Sequence, residues 1–423
     1  MSAALDAWLA RLERQHPVAI ELGLERVATV ATRLGLSERP LAGQVVTVAG
    51  TNGKGSTVAL LERLAACHGL STACYTSPHL LRYNERLRLD GQPAEDALLV
   101  EGFERVEAAR LAGEAVSLTY FEAGTLAALW AIAERQPQLA ILEVGLGGRL
   151  DAVNVIDPDI AVITTIAHDH ADFLGDDLDG IGFEKAGILR PARPAVLGSR
   201  QLPASVSARL GALAAPAYWL GQAFAPQDQG GSWQWQGSDA QGARYELDSL
   251  PDPGLPLDNA AVALQVLTLL GITPQLEAVR EALATVALPG RLQWLDNWCL
   301  DVAHNPHAAA YVAERLAARP RPTRRIGLLG VLGDKDAGAL IAALGPAVDA
   351  WVAVGLDGPR GRSAAALGES IEAAGASLLA SCDSPAAGVA WLRERLGADE
   401  EVLVCGSFLT VAGALEALTA AAV

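Results

Sequence analysis

The 423-residue sequence predicts an α/β protein of two domains, and three observations carry that prediction. The chain is longer than one hydrophobic core usually organises, and at 51% apolar against 19% charged residues it has the material for two. Runs rich in Val, Ile and Ala, without strict polar alternation, recur between helix-like segments, as parallel strands buried on both faces require. The pattern breaks at Pro289-Gly290 and then resumes, which sets the expected domains at residues 1–288 and 289–423.

In the first domain the strand-like runs are VVTVA (45–49), STACYT (71–76), LAILEVG (139–145) and IAVITTIA (160–167), with helix-like stretches such as 56–68 and 123–135 between them. Residues 227–249 alternate large and polar side chains around Gly and Asp turns, which predicts a β-hairpin decorating this domain. A helix-like stretch follows from Asp258 to about Leu283. The smaller second domain repeats the theme with WCLDVA (298–303), RIGLLGVL (325–332), AWVAVG (350–355) and EVLVCGS (401–407), separated by Ala-rich helices.

A formal charge of −17 without any Lys/Arg run argues against nucleic acid or anionic lipid as a partner. A small anionic ligand would need local positive groups. The start MSAALDAWLARLERQHP lacks a basic region followed by an apolar stretch, and nowhere do about 18 uncharged apolar residues run together, so a soluble cytoplasmic protein without a membrane partner is expected. Cys67, Cys74, Cys299, Cys382 and Cys405 are scattered, with no C-x-x-C pair, which predicts buried reduced thiols rather than a metal site or a disulfide framework.

Within VTVAGTNGKGSTVALLERLAACHGL (46–70), the stretch Gly50 to Ser56 lies between a buried-strand signal and a helix. There, backbone N–H groups and a helix N-terminus can hold phosphate while Lys54 neutralises it. The pattern G-x-x-x-x-G-K-[ST] is not met, because Val48 occupies its first glycine position and Gly55 separates Lys54 from Ser56. Spacing alone leaves a phosphate cradle and a glycine-rich turn both open. The other strand ends shift the balance: TSPHLLRYNERLRLDG, EVGLGGRLDAVN and AHDHADFLG follow the next three runs. Ligands of open α/β sheets bind outside the carboxyl ends of the strands, and four such ends carry polar groups here.

GTNGKGST, TSPHLLRYNERLRLDG, LTYFEAGTLAAL, LEVGLGGRLDAVN, EKAGILRP, LPGR, DVAHNPHAA and GDKD stand in the order found in folylpolyglutamate synthases of the Mur ligase superfamily. The chain resembles that family, and most of all its bacterial bifunctional dihydrofolate synthase type, from HPVAIELGLERV (16–27) to CGSFLTV (405–411). The resemblance implies an N-terminal P-loop ATPase-like domain with a mostly parallel sheet and a smaller C-terminal Rossmann-like, glutamate-ligase-type domain, the two building one site between them. It also implies a monomer that uses ATP and Mg2+ to join L-glutamate to dihydropteroate and to the γ-carboxyl of tetrahydrofolate through an acyl phosphate.

By the same resemblance, Thr51, Asn52, Gly53, Lys54, Gly55 and Ser56 hold ATP phosphates, and Asn259, Arg291 and Asp301 contact the nucleotide. Ser77, Glu143 and His170 coordinate magnesium; Lys185 matches a lysine that the family carbamylates, turning a cation into an anion able to face metal. Asp301 and His304 stand near the reacting centre, and Arg82, Phe121 and Asp151 at the pterin end. The catalytic set is thus Lys54, Glu143, His170, Lys185, Asp301 and His304. The residues by themselves also admit plainer readings: a Ser-Pro turn at Ser77, a core hydrogen bond at His170, a surface lysine at Lys185, a helix cap at Asp301, a solvated loop histidine at His304 and a core ring at Phe121. Glu143 resists one, because burying an unpaired carboxylate is costly. His168, two residues before His170, is either a bystander or an added ligand, since i and i+2 share a face only while a strand persists.

Three other functions compete. A cell-wall precursor ligase shares GTNGK, but such enzymes carry a further domain before the loop, and only 49 residues precede Gly50. A switch or binding ATPase would lack DVAHNP and EKAGILRP. A dinucleotide oxidoreductase read from GLGGRL (145–150) fails on spacing, which is not G-x-G-x-x-G.

Overall fold

Five of the six residues of the apolar run Gln44–Ala49 are buried, and this run forms β1 inside an eight-stranded sheet. The computed structural model describes all residues except 1, 17, 19, 20, 170 and 421–423. It divides into two units, Met1–Ala287 and Leu288–Val423. Among the described residues no helix is long and apolar enough to cross a membrane.

The sheet of the first unit runs β4-β3-β2-β5-β1-β6-β7-β8. Its strands are β1, β2 (Thr72–Tyr75), β3 (Leu87–Leu89), β4 (Gln92–Pro93), β5 (Leu139–Glu143), β6 (Ile160–Ile163), β7 (Ala195–Leu197) and β8 (Ala217–Trp219). Only β3 and β4 at one edge pair antiparallel. Val48 of β1 stands opposite Glu143 of β5 and Val162 of β6, so three parallel strands end at one level. The chain leaves β1 toward β2 on one side and later adds β6 on the other, which makes the carboxyl end of β1 a topological switch point.

IAVITTIA was expected to stay extended to 167, but β6 ends at Ile163, because the hydroxyls of Thr164 and Thr165 turn back to bond the loop after β1. The expected hairpin gains a third strand: β9 (Ala225–Asp228) pairs antiparallel with β10 (Trp233–Ser238), which pairs with β11 (Arg244–Leu250). The stretch expected as one helix from 258 is two, Leu257–Leu269 and Leu276–Thr285. Gly271, at φ 82°, ends the first, and Pro274 keeps the connection from continuing as helix.

The second unit holds a six-stranded sheet, β12-β13-β17-β14-β15-β16, in which only β12 and β13 pair antiparallel. Its strands are β12 (Gln293–Leu295), β13 (Trp298–Leu300), β14 (Arg324–Leu329), β15 (Ala350–Val354), β16 (Leu378–Cys382) and β17 (Glu400–Cys405). Each unit therefore has the mixed α/β, parallel-rich architecture the sequence predicts. All five cysteines are free; Cys74, Cys299 and Cys405 are buried as expected, whereas Cys67 and Cys382 are half-exposed.

Candidate active site

The loop after β1 is shaped from both sides. Gly50 has φ 152° and Gly53 φ 86°; a Cβ on Gly50 would lie 1.8 Å from Thr164 Oγ1, and one on Gly53 would lie 2.9 Å from the side-chain amide of Asn259. Thr51 N–H donates to Thr165 O at 2.7 Å, Asn52 N–H to Thr165 Oγ1 at 3.1 Å, and Thr164 Oγ1 to Asn52 O at 2.7 Å. The loop is thus fixed to the end of β6 before helix Lys54–Cys67 begins. Gly53 is the N-cap of that helix, so the amides of its first turn, including Gly55 and Ser56, have no partner within the helix and carry the positive end of its dipole. Lys54 Nζ donates to Gly50 O at 2.9 Å and Thr51 O at 3.1 Å, folding the ammonium over the loop.

Lys185 ends helix Leu178–Lys185, and it is no surface lysine: only 4% of it is exposed. Burial and the nearby charge of Lys54 bring its ammonium down to about 7, against the opposing pull of Asp169 and Asp151. A Cβ on Gly148 would stand 2.8 Å from Glu184 O, so glycine is what lets the loop after β5 lie against this helix end. Asp151, 2% exposed, accepts from Leu146 N–H and Val153 N–H, each at 2.9 Å. Burial raises its carboxyl to about 6, although those amides and Lys54 oppose the rise.

At the ends of β5 and β2, buried Glu143 accepts the Ser77 N–H at 3.3 Å. The loop beyond Ser77 is organised by Glu85, whose carboxylate accepts from the amides of Leu80, Leu81 and Arg82 at 2.7, 2.9 and 2.6 Å. Arg86 Nε donates to His79 Nδ1 at 2.9 Å, and burial, with Arg86 nearby, holds that imidazole down at about 4. Among the described residues no group of three His, Cys, Asp or Glu side chains converges as a metal cluster. What the described residues offer is a carboxylate and a hydroxyl, hard oxygen donors of the kind a magnesium ion takes. His170 lies outside the described residues. His168 is exposed and lies beyond the end of β6 at Ile163.

Of the residues expected at the pterin end, Phe121 is half-buried with its ring against Gly145, where a Cβ would lie 2.6 Å away, and its centroid is 6.3 Å from that of Tyr75. The Arg82 side chain is 59% exposed and stands 4.0 Å from Asp96. Asp151 is engaged by backbone amides, as described.

In the second unit, buried Asp301 follows β13 and accepts from Leu292 N–H at 2.9 Å and Ala303 N–H at 2.8 Å. Burial raises its carboxyl, and Arg291 opposes the rise. It caps no helix; Asn305 caps Pro306–Ala317 by accepting from Ala308 N–H. His304 is no solvated loop residue either. It is half-buried, donates from Nδ1 to Val302 O at 2.9 Å, and lies 6.4 Å from the ring of Phe408, over which Arg291 stacks at 5.3 Å.

Sequence reasoning missed Thr164, Thr165 and Asp169. The first two were legible only as polar residues ending an apolar run, and Asp169 as the acid between two histidines.

Comparison with known proteins places this geometry among relatives. The Mur ligase middle-domain model matches residues 48–198, and the Mur ligase glutamate ligase domain model matches residues 290–408. The chain is 42% identical to the dihydrofolate synthase/folylpolyglutamate synthase of Escherichia coli K12, over 99% of this chain and 96% of that protein. It is 33% identical to the counterpart from Mycobacterium tuberculosis, over 84% and 78%. The solved structure of E. coli FolC with DHPP and ADP superposes with a TM-score of 0.93 at 41% identity, covering 100% of both chains. A bifunctional folylpolyglutamate synthase/dihydrofolate synthase with Mn, AMPPNP and L-glutamate bound gives 0.88 at 43% identity, covering 98% of each.

Proposed function

The chain belongs to the dihydrofolate synthase/folylpolyglutamate synthase family of Mur ligases, and from that premise we propose that it joins L-glutamate to dihydropteroate and to the γ-carboxyl of reduced folates at the expense of ATP. A carboxylate is a poor acyl donor, because oxide is not a leaving group. Transfer of the terminal phosphoryl group of ATP to the carboxylate oxygen gives an acyl phosphate and ADP. The amine of glutamate then attacks the acyl carbon, the C–O bond to phosphate breaks, the amine loses a proton, and the products are an amide and phosphate.

Each part of this chemistry has a candidate in the chain. Thr51 to Ser56 form the phosphate cradle, in which the amides at the start of helix Lys54–Cys67 are the donors while those of Thr51 and Asn52 hold the loop to Thr165, and Lys54 offsets the negative charge that spreads over the transferring group. Asn259 flanks the loop through Gly53, and in the second unit Arg291 and Asp301 are assigned to the nucleotide and His304 to the reacting centre. A divalent cation, held by Ser77 and Glu143 and expected at His170, would supply further neutralisation of phosphoryl oxygens. Phe121 offers a ring face to the pterin and Arg82 a guanidinium to an anionic end. Asp151 is assigned to the amino groups of the pterin, and the amides of Leu146 and Val153 that it accepts hold its carboxylate and the loop after β5 in place.

Lys185 is assigned as a carbamate. An amine with its pKa near 7 is about half unprotonated at neutral pH, and that form attacks carbon dioxide, forming an N–C bond and releasing a proton. The resulting anion beside Lys54 replaces cation–cation repulsion by attraction. Intact-mass analysis under carbon dioxide, with a labelled-carbon NMR resonance lost in Lys185→Arg, tests the modification independently of turnover; an unmodified lysine overturns it.

The observation that carries the functional reading is the phosphate loop: Gly53 begins helix Lys54–Cys67 with Lys54 folded over the loop, at the strand ends that also present Glu143 and buried Lys185. A helix start with an ammonium beside it suits a polyphosphate. ADP release should require a pteroate or folate carboxylate together with L-glutamate; release that ignores both would leave a simple ATPase instead.

A further inference from the structure

Helix Leu257–Leu269 carries Asn259 in its first turn, and the amide of that side chain occupies the space where a Cβ of Gly53 would stand, 2.9 Å away. All residues of this helix from Asn259 to Thr268 are buried. Hydrophobic contact is non-directional, so burial alone sets neither the rotation nor the axial position of such a helix tightly. Direction comes from polar contacts: Arg200 pairs with Asp258 in the first turn at 3.1 Å, and β10 supplies the two that lie in the buried interior. Trp235, fully buried, donates from Nε1 to Ala261 O at 3.2 Å, half a turn beyond Asn259. Gln265, also fully buried, donates from Nε2 to Ser238 O at 2.7 Å and accepts the Ser238 N–H at 3.4 Å. Gly237 leaves the room both need, since a Cβ there would lie 2.2 Å from the Trp235 ring and 2.7 Å from Gln265 Oε1.

We propose that the three-stranded sheet β9–β11 is a positioning device for the nucleotide: through Trp235 and Gln265 it fixes helix Leu257–Leu269 so that Asn259 stands at the phosphate loop. Neither residue touches a reacting atom; both act through Asn259. The proposal rests on the reading of Asn259 as a nucleotide contact.

The test uses the full chain, with Trp235→Phe, which keeps an aromatic ring at some loss of volume and removes the donor, and Gln265→Leu, each alone and combined with Asn259→Ala. ADP affinity is measured by calorimetry, KM for ATP and for L-glutamate by turnover, and folding by thermal unfolding. Trp235→Phe removes one hydrogen bond and Gln265→Leu the two with Ser238, so either tests the device. A folded variant should bind ADP about five-fold more weakly, as expected for one lost hydrogen bond. Its KM for ATP should rise in parallel while that for L-glutamate stays put, and it should lose nothing further in the Asn259→Ala background. Wild-type ADP affinity in the folded variants, or losses that multiply with Asn259→Ala, overturns the positioning role. If Asn259→Ala alone leaves ADP affinity unchanged, the nucleotide reading of Asn259 fails and takes this proposal with it.

Discussion

The two units place polar groups at the carboxyl ends of buried parallel strands, and each holds a buried carboxylate on two backbone amides, Asp151 and Asp301, but they differ in the cations placed beside them. In the first unit Lys54 and Lys185 are close enough to repel, and Lys185 is buried although burial disfavours its charge. In the second unit the charge that needs company has it: Asp301 has two backbone amides and Arg291 nearby. Where a fold leaves like charges together at the cost of stability, chemistry is the expected reason; where it satisfies a carboxylate with its own loop, that group also serves as scaffold.

Substitutions should separate these two designs. The largest effect is expected from Lys54→Ala, with turnover reduced roughly a thousand-fold, the size of losing a key group that stabilises transferring charge. Steady-state rates and calorimetric ATP binding measure it, and an active variant would contradict the cradle. Lys185→Ala should lower kcat by about a hundred-fold, with partial recovery in formate or acetate if an anion at this position is what is missing.

In carbon-dioxide-free buffer, where Lys185 is unmodified, its ionisation also gives a sign to the pH dependence of stability. The unfolded chain keeps this proton up to about 10.4, whereas the folded protein releases it near 7. Between those values the unfolded state binds more protons, so stability rises with pH from about 7 towards 10, and the full penalty of the buried cation is present below 7. Denaturant unfolding at pH 7 and pH 9 should therefore show wild type gaining on Lys185→Met as pH increases; the opposite trend would contradict the assigned burial.

Smaller effects test the scaffold side. Asp301→Asn turns one acceptor oxygen into a donor facing an amide, which should cost about 1–3 kcal/mol in thermal unfolding. Gly53→Ala combines a left-handed backbone with a contact against Asn259, and roughly 1–2 kcal/mol is expected, with weaker ADP binding.

Much of the fold was legible because buried parallel strands are largely apolar: β2, β5, β6, β13 and β15 lie within the runs read from sequence, and β1, β14 and β17 begin one residue before theirs. The strands that were missed are short or polar. β7 and β8 have three residues each, β3 is the alternating triplet Leu-Arg-Leu at an antiparallel edge, and β16 is an edge strand with no fully buried residue. The site was legible where glycine and lysine stand in a strand–helix context, as at Gly50 to Ser56. Burial was not legible for Lys185, because FEKAGILRP looks like any amphipathic helix end and the desolvation comes from loops far away in sequence. Nor could spacing disclose that Asp151 accepts the amides of Leu146 and Val153.

The most direct test of the account is product formation with ATP, magnesium and L-glutamate, read by mass spectrometry with dihydropteroate and tetrahydrofolate supplied separately. The account predicts a mass gain of one glutamyl residue on each substrate, with one ADP released per amide formed. No gain on either substrate, under conditions where ATP binds, would contradict it.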